Sequence, residues 1–339
     1  MDKGKGKILS FGELLLRFTP DASGNWLKEN RLPFFVGGAE ANVATALALW
    51  NIPSAYLTAV PENAVTEQLI SYLDELKIDT SPIVKQGERL GTFYLTKGKD
   101  MKNAGVVYDR AYSSYSQLQS GQIDWNEVFA DVEWFHFSAI CPALTQNVAD
   151  VCMEALQAAK KNGVKVSLDL NYREKLWKYG KQPIEIMPQL AQYCTLIMGN
   201  IWAANKMLGI EIDEQKITSG SREGYLAQAE QTSKDIIEKF PLVRIVANTF
   251  RFDKESSVNY YSAMYADSKL VVSAEYNSDN ILDKVGSGDC FMAGLLYGDY
   301  NGLSKEDTLA FATAAAFDKL FIPSDATTSS VEDIKNRMQ

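Results

Sequence analysis

The chain has 339 residues, 46% hydrophobic and 23% charged, with 34 Lys and Arg against 43 Asp and Glu for a formal net charge of −9. That length suits one large α/β domain or two domains, and the composition is ordinary for a soluble globular protein. An acidic chain with no Lys/Arg block is a poor candidate for nucleic acid or an anionic membrane, although a local basic pocket can still bind a small anion.

The opening stretch "MDKGKGKILSFGELLLRF" has lysines but no apolar core segment and no small-residue cleavage site, so no signal peptide is expected. No apolar run approaches the length of a transmembrane helix. The four cysteines, Cys141, Cys152, Cys194 and Cys290, form no C-x-x-C pair, and a cytoplasmic protein with free thiols is the expectation. The segments "GELLLRFTP", "LPFFVGG", "LGTFYLTKG" and "AGVVYDRAY" are short, alternating and aromatic-rich, and read as strands of a small sheet with one exposed face. Helical patterns at 38–50 and 65–76 interrupt them. The small sheet, built from about 11–37 and 88–112, is therefore read as an excursion from a single 1–339 domain. A lid over a site is one role for it. An edge cover or a dimer contact is another, and a homo-oligomer joined through this sheet is expected.

The middle of the chain alternates strongly. Strands are expected at 132–140, 164–172, 194–200 and 243–250, with helices at 145–162 and roughly 223–239. Strand–helix–strand units of this spacing give a doubly wound, mainly parallel sheet with helices on both faces. Near-continuous apolar runs suit strands buried on both sides.

In such sheets ligands bind beyond the carboxyl ends of the strands. The expected strands end in "DLNYR" (Asp169, Asn171, Arg173), "MGN" (Asn200) and "ANTFR" (Asn248, Thr249, Arg251). Each residue alone is commonly a turn former; together they can line one crevice. Two glycine turns, "VGGAEAN" and "VGSGD", each precede a helical run and can present amides to an anion. Neither is a P-loop or a dinucleotide fingerprint. Asp289 follows the second turn. It is either a first-turn acid favoured by the helix dipole or a base beside an anion site, as phosphoryl transfer to a hydroxyl requires. His136, the single histidine, lies in an apolar strand pattern and reads as a core residue; Cys290 reads as a small buried filler. No G-x-S-x-G elbow and no zinc spacing is present.

At these residues the sequence resembles the ribokinase-like, PfkB-type carbohydrate kinases. "GGAEANVATALA" resembles the first signature of that family and "DKVGSGDCFMAGLLYG" the second, usually D-T-x-G-A-G-D. The resemblance runs from about residue 8 to 338. "GELLLRFTP", "RLGTFYLTKG", "VVYDRAYS", "WFHFSAICPAL", "SLDLNYREKLW" and "VANTFR" resemble the branch of 2-keto-3-deoxygluconate kinases. It implies ATP, Mg²⁺ and transfer of the γ-phosphoryl group to a sugar-acid hydroxyl. Asp289 would be the base, and the amides of Gly286, Ser287 and Gly288 the anion hole. Gly37, Gly38, Asn42, Phe93, Tyr108, Arg110 and Arg173, with Asn171 at the strand end, would lie on the sugar side. Asn200, Thr249 and Arg251 would join Gly286 and Gly288 on the nucleotide side. No metal ligand is assigned. Two arginines suit a carboxylate, which a guanidinium can grip bidentately; a neutral sugar does not need them.

The sequence departs from the family pattern on the nucleotide half. Ala203 stands where an acid usually follows Asn200 by three, and Lys284 replaces the usual Thr. "DKLFIPSDATTSS" lacks the usual His and Gly of a stretch that in relatives borders the adenine pocket and a monovalent-cation loop, K⁺ being one such ion. A catalytically weak binding or regulatory protein, or a kinase of another sugar such as fructose, stand as alternatives.

Overall fold

Neighbouring residues of one strand go to opposite sides of the central sheet. In the strand Val132–Ser138, Trp134 joins an apolar layer with Ile8, Leu196, Met198, Ile245 and Ala247, while Phe135 and Phe137 join another with Leu9, Phe11, Leu168, Ile197 and Val246. The pleat alone produces this alternation, and a strand apolar at both parities must be covered on both faces. Helices Ala39–Leu49, Ser287–Asn301 and Lys305–Asp318 cover the first layer. Gln146–Asn162, Pro183–Ala191, Ile201–Leu208 and Arg222–Lys239 cover the second. The computed structural model describes residues 5–20, 24–95, 105–218, 220–254 and 257–338.

The central sheet has ten strands among the described residues. Nine of them lie in the order Lys269–Val272, Ser257–Ala266, Ile245–Lys254, Leu196–Met198, Lys165–Asp169, Val132–Ser138, Lys7–Phe11, Ser54–Leu57 and Ile78–Asp79. All pairings from Ile245–Lys254 to Ile78–Asp79 are parallel. The expected doubly wound, mainly parallel architecture is therefore present. The antiparallel edge at 257–278 was not anticipated. It includes Tyr276–Ser278, which also pairs with Ser257–Ala266. The strand expected at 243–250 continues to Lys254 because it forms a long hairpin with that edge.

The four aromatic-rich segments form a second sheet in the order Phe34–Gly37, Leu15–Phe18, Gly91–Leu95 and Val106–Asp109. The stretch 96–104, which the sequence reading gave to this sheet, lies outside the described residues. The inner side chains of the small sheet, Leu15, Phe93, Leu95 and Val106, pack on Val285, immediately before the second glycine turn. On the outer side Phe18 stacks on Tyr94 at 5.4 Å, and Phe34 and Val107 are exposed. No helix among the described residues is long and apolar enough to cross a membrane.

Candidate active site

The second glycine turn starts the helix Ser287–Asn301. Gly286 is its N-cap at φ 76°, and a Cβ there would lie 1.8 Å from the carbonyl oxygen of Asp325. Only glycine fits both the conformation and the space. The first-turn amides of Ser287, Gly288 and Asp289 have no partner within the helix. The Ser287 hydroxyl donates to the carbonyl of Ala316 at 2.8 Å, tying the helix start to its neighbour. Further along, a Cβ on Gly294 would come 2.5 Å from Ala312 Cα, so the two helices touch backbone to backbone. The amides are held by a packed scaffold.

Asp289 is buried in the first turn, where Asn42 Nδ2 donates to its Oδ2 at 2.7 Å. Burial pushes its carboxyl up to about 7; Asn42 and Arg173 oppose that shift, while Asp169 and Glu40 add to it. A carboxyl near neutrality in a cleft is suited to accept a proton from a hydroxyl.

A cavity of about 790 Å³ opens beside the turn. Its walls include Tyr108, Asn171, Arg173, Asn200, Thr249, Arg251, Lys284, Gly286, Ser287, Gly288 and Asp289. Residues from three neighbouring parallel strands and their following loops thus converge where the sheet rule places a ligand. A second space of about 30 Å³ is lined by Gly38, Asn42, Phe93, Tyr108, Arg110 and Asp289, together with Glu13 and Asp325. Tyr108, Val285 and Asp289 line both spaces. Gly37 lines neither; it packs against Asp325 and Phe93. Of the other residues singled out as site candidates, all but Asn248 line one space or both.

The local roles differ in detail. Thr249 and Arg251 share one side of the strand Ile245–Lys254 and face the cavity. Asn248 points the other way and its Nδ2 donates to Ser233 Oγ at 3.4 Å, so it belongs to the interior. Asn200 caps the helix Ile201–Leu208 by accepting from the amide of Ala203 at 2.8 Å. Ala203 forms cavity wall and brings no carboxylate there. Arg173 Nη1 donates to the carbonyl of Tyr172, and its Nε is buried with no hydrogen-bond partner. The Tyr108 hydroxyl is also buried and unpartnered. These are donors in want of an acceptor.

Three participants escaped the sequence reading. Glu13 Oε2 accepts from Arg110 Nε at 2.6 Å, so the arginine assigned to the sugar already has a buried carboxylate partner. Glu40 is buried, accepts from the amide of Ser138 at 3.0 Å, and adds negative potential at Asp289. Asp325 packs between Gly37 and Gly286. The two residues read as structural are so. His136 bonds Ser167 through Nδ1 at 3.0 Å, with burial holding its ring down to about 3. Cys290 is buried against the carbonyl of Ala315 at 3.3 Å, and burial pushes its thiol up.

A doubly wound sheet with a small second sheet packed beside a glycine-led helix is the ribokinase-like fold. The chain belongs to the pfkB family of carbohydrate kinases, whose family model matches residues 5–317. It is a carbohydrate kinase. Its structure is similar to that of 2-dehydro-3-deoxygluconokinase from Thermotoga maritima, with a TM-score of 0.89, 29% identity, and coverage of 98% of this chain and 99% of that one. It is 25% identical over 316 residues to 5-dehydro-2-deoxygluconokinase of Clostridium tetani, covering 91% of this chain and 85% of the relative. It is 28% identical over 171 residues to 2-dehydro-3-deoxygalactonokinase of Haloferax volcanii, about half of each chain at 50% and 54%.

Proposed function

We propose that this kinase transfers the γ-phosphoryl group of ATP to a hydroxyl of a sugar acid, 2-keto-3-deoxygluconate, giving its 6-phosphate. The observation that carries the reading is the position of Asp289. It lines both spaces, sharing the larger with the glycine-led helix start and Arg173 and the smaller with Arg110.

The cavity and its donors fit a nucleotide. The amides at Gly286, Ser287 and Gly288 would hold its phosphate oxygens, with Asn200, Thr249 and Arg251 on the nucleotide side. Among the described residues no group of three or more His, Cys, Asp or Glu could hold a metal ion. A Mg²⁺ ion would accordingly be held mainly by phosphates and water, where it supplies charge neutralisation for the moving phosphoryl group. Asp289 takes the proton of the acceptor hydroxyl. That oxygen bonds to the γ-phosphorus, the bond to the bridging oxygen of ADP breaks, and the amides at the helix start receive the spread negative charge. The sugar carboxylate lies against Arg173 and Arg110, with the Tyr108 hydroxyl as a further donor.

One observation favours a second reading. Glu13 already balances Arg110, which leaves room for a neutral sugar such as fructose. ADP release measured over 2-keto-3-deoxygluconate, 2-keto-3-deoxygalactonate, 5-keto-2-deoxygluconate and fructose separates the two. Turnover confined to fructose would remove the sugar-acid reading.

A further inference from the structure

Against the glycine turn lies a cluster of three buried charges, Arg17, Lys319 and Asp325, and a fourth, Asp283, that is partly exposed; the transfer reaction uses none of them. Arg17, on the inner face of the small sheet and 2% exposed, donates from Nε to Asp325 Oδ1 at 2.6 Å and from Nη2 to Asp283 Oδ2 at 2.7 Å. Its guanidinium also sits over the Phe35 ring at 4.3 Å. Lys319 is wholly buried and donates from Nζ to the carbonyl of Ile322 at 3.0 Å. Its Cε would lie 3.4 Å from a Cβ on Gly286. Asp283 accepts from the amide of Val285 at 3.0 Å, so it shapes the entry to the turn. Asp325 reaches further. Its carbonyl closes on Gly286, and its Oδ2 would be 2.7 Å from a Cβ on Gly37. One acid thus touches both glycine segments, and an arginine of the small sheet holds it there.

The stretch 318–330 is one that, by the resemblance, borders a monovalent-cation loop in relatives. Such an ion needs oxygen donors with negative charge to spare. Here the two carboxylates, Asp283 and Asp325, each already bond Arg17, and the Ile322 carbonyl already accepts from Lys319. Two acids and two bases sum to zero. A further positive charge beside the buried Arg17 and Lys319 would meet repulsion, and neither Asp283 nor Asp325 is free of a guanidinium to repay its desolvation. The residues present do not fit the ion. We propose that Arg17 and Lys319 are the built-in counter-cations of the glycine turn, and that the site has no requirement for a potassium or sodium ion. Arg17 and Lys319 are positioning residues: they act through Asp283 and Asp325 on the turn and touch no reacting atom. The charges also support one another. Burial pushes Asp325 up to about 6 against the pull of Arg17, and pushes Lys319 down against the pull of Asp283 and Asp325.

The test compares the full chain in potassium, sodium and tetramethylammonium chloride at matched ionic strength, by melting temperature and by sugar-dependent ADP release. The wild-type protein should melt within about 1 °C and turn over within about twofold in all three salts, because no ion binds the folded state specifically. A potassium-specific rise in melting temperature, or activation beyond about fivefold, would overturn the proposal. Lys319→Met leaves two acids to one guanidinium. Potassium should then raise both its melting temperature and its kcat, and a folded variant indifferent to potassium would remove Lys319 from this role. The turnover arm rests on the kinase reading; the melting arm does not. Absence of ADP release in every salt would therefore count against the kinase reading and leave the melting comparison to decide the cation.

Discussion

Asn42 Nδ2 donates to Asp289 Oδ2 across 2.7 Å, joining the helix that follows the first glycine pair to the helix that follows the second. The two residues are 247 positions apart in the chain. The bond orients the carboxyl and favours its charged form, while burial works the other way.

The pH dependence follows from that balance. Only ionised Asp289 accepts the hydroxyl proton, so kcat/KM of the wild-type enzyme should rise with pH and level off above about 7. Asn42→Ala removes a bond to the charged form, and should move this limb to higher pH by about one unit. A pH–rate profile of both proteins checks this. An unchanged limb in the variant would separate Asn42 from the base.

Stability should respond in the opposite sense to activity. The folded-state pKa of Asp289 lies above its unfolded value near 3.8. Its contribution is therefore fully present below that unfolded value and is lost as pH rises through about 7. Asp289→Asn abolishes the loss. The variant should melt higher than the wild type at pH 8, by an amount equivalent to roughly 1–3 kcal/mol, and the gap should close toward pH 4. Calorimetry at the two pH values measures it; a less stable variant at pH 8 would refute the penalty.

Glu13 and Arg173 should separate cleanly. Glu13→Ala strands a buried guanidinium at Arg110 and should cost about 3–5 kcal/mol in denaturant unfolding. Arg173→Ala breaks no described ion pair. It should change stability by less than about 1 kcal/mol while raising KM for the sugar acid at least tenfold, or about 1.4 kcal/mol of binding. Equal stability losses would mean that Arg173 is structural.

The two glycines of the turn are unequal. At Gly286 a side chain meets positive φ and the Asp325 carbonyl, whereas a Cβ on Gly288 meets only Met198 Cε at 3.7 Å. Gly286→Ala should lose about 2 kcal/mol or more and nearly all turnover, while Gly288→Ala should fold like the wild type. Urea titrations of both variants decide it.

Local pattern made the parallel core legible. Trp134, Phe135 and Phe137 announce a strand buried on both faces, and Thr145 and Gly163 bracket the helix between them as cap and stop. The glycine turns and Asp289 were readable for the same reason: their chemistry is local. Glu13 was hidden because its partner Arg110 is 97 residues away, and Asp325 because Arg17 is 308 away. No period or spacing signals such a pair. Thr249 and Arg251 were placed at a strand end because the antiparallel edge that lengthens their strand was unread.

The most direct test is ADP release by the wild-type protein and Asp289→Asn with 2-keto-3-deoxygluconate, alongside calorimetric binding of that acid. Wild-type turnover should depend on the sugar acid, and the variant should lose about 10²–10⁴-fold in kcat while binding the acid as before. Near-full turnover by Asp289→Asn would contradict the assignment of the base and the mechanism built on it.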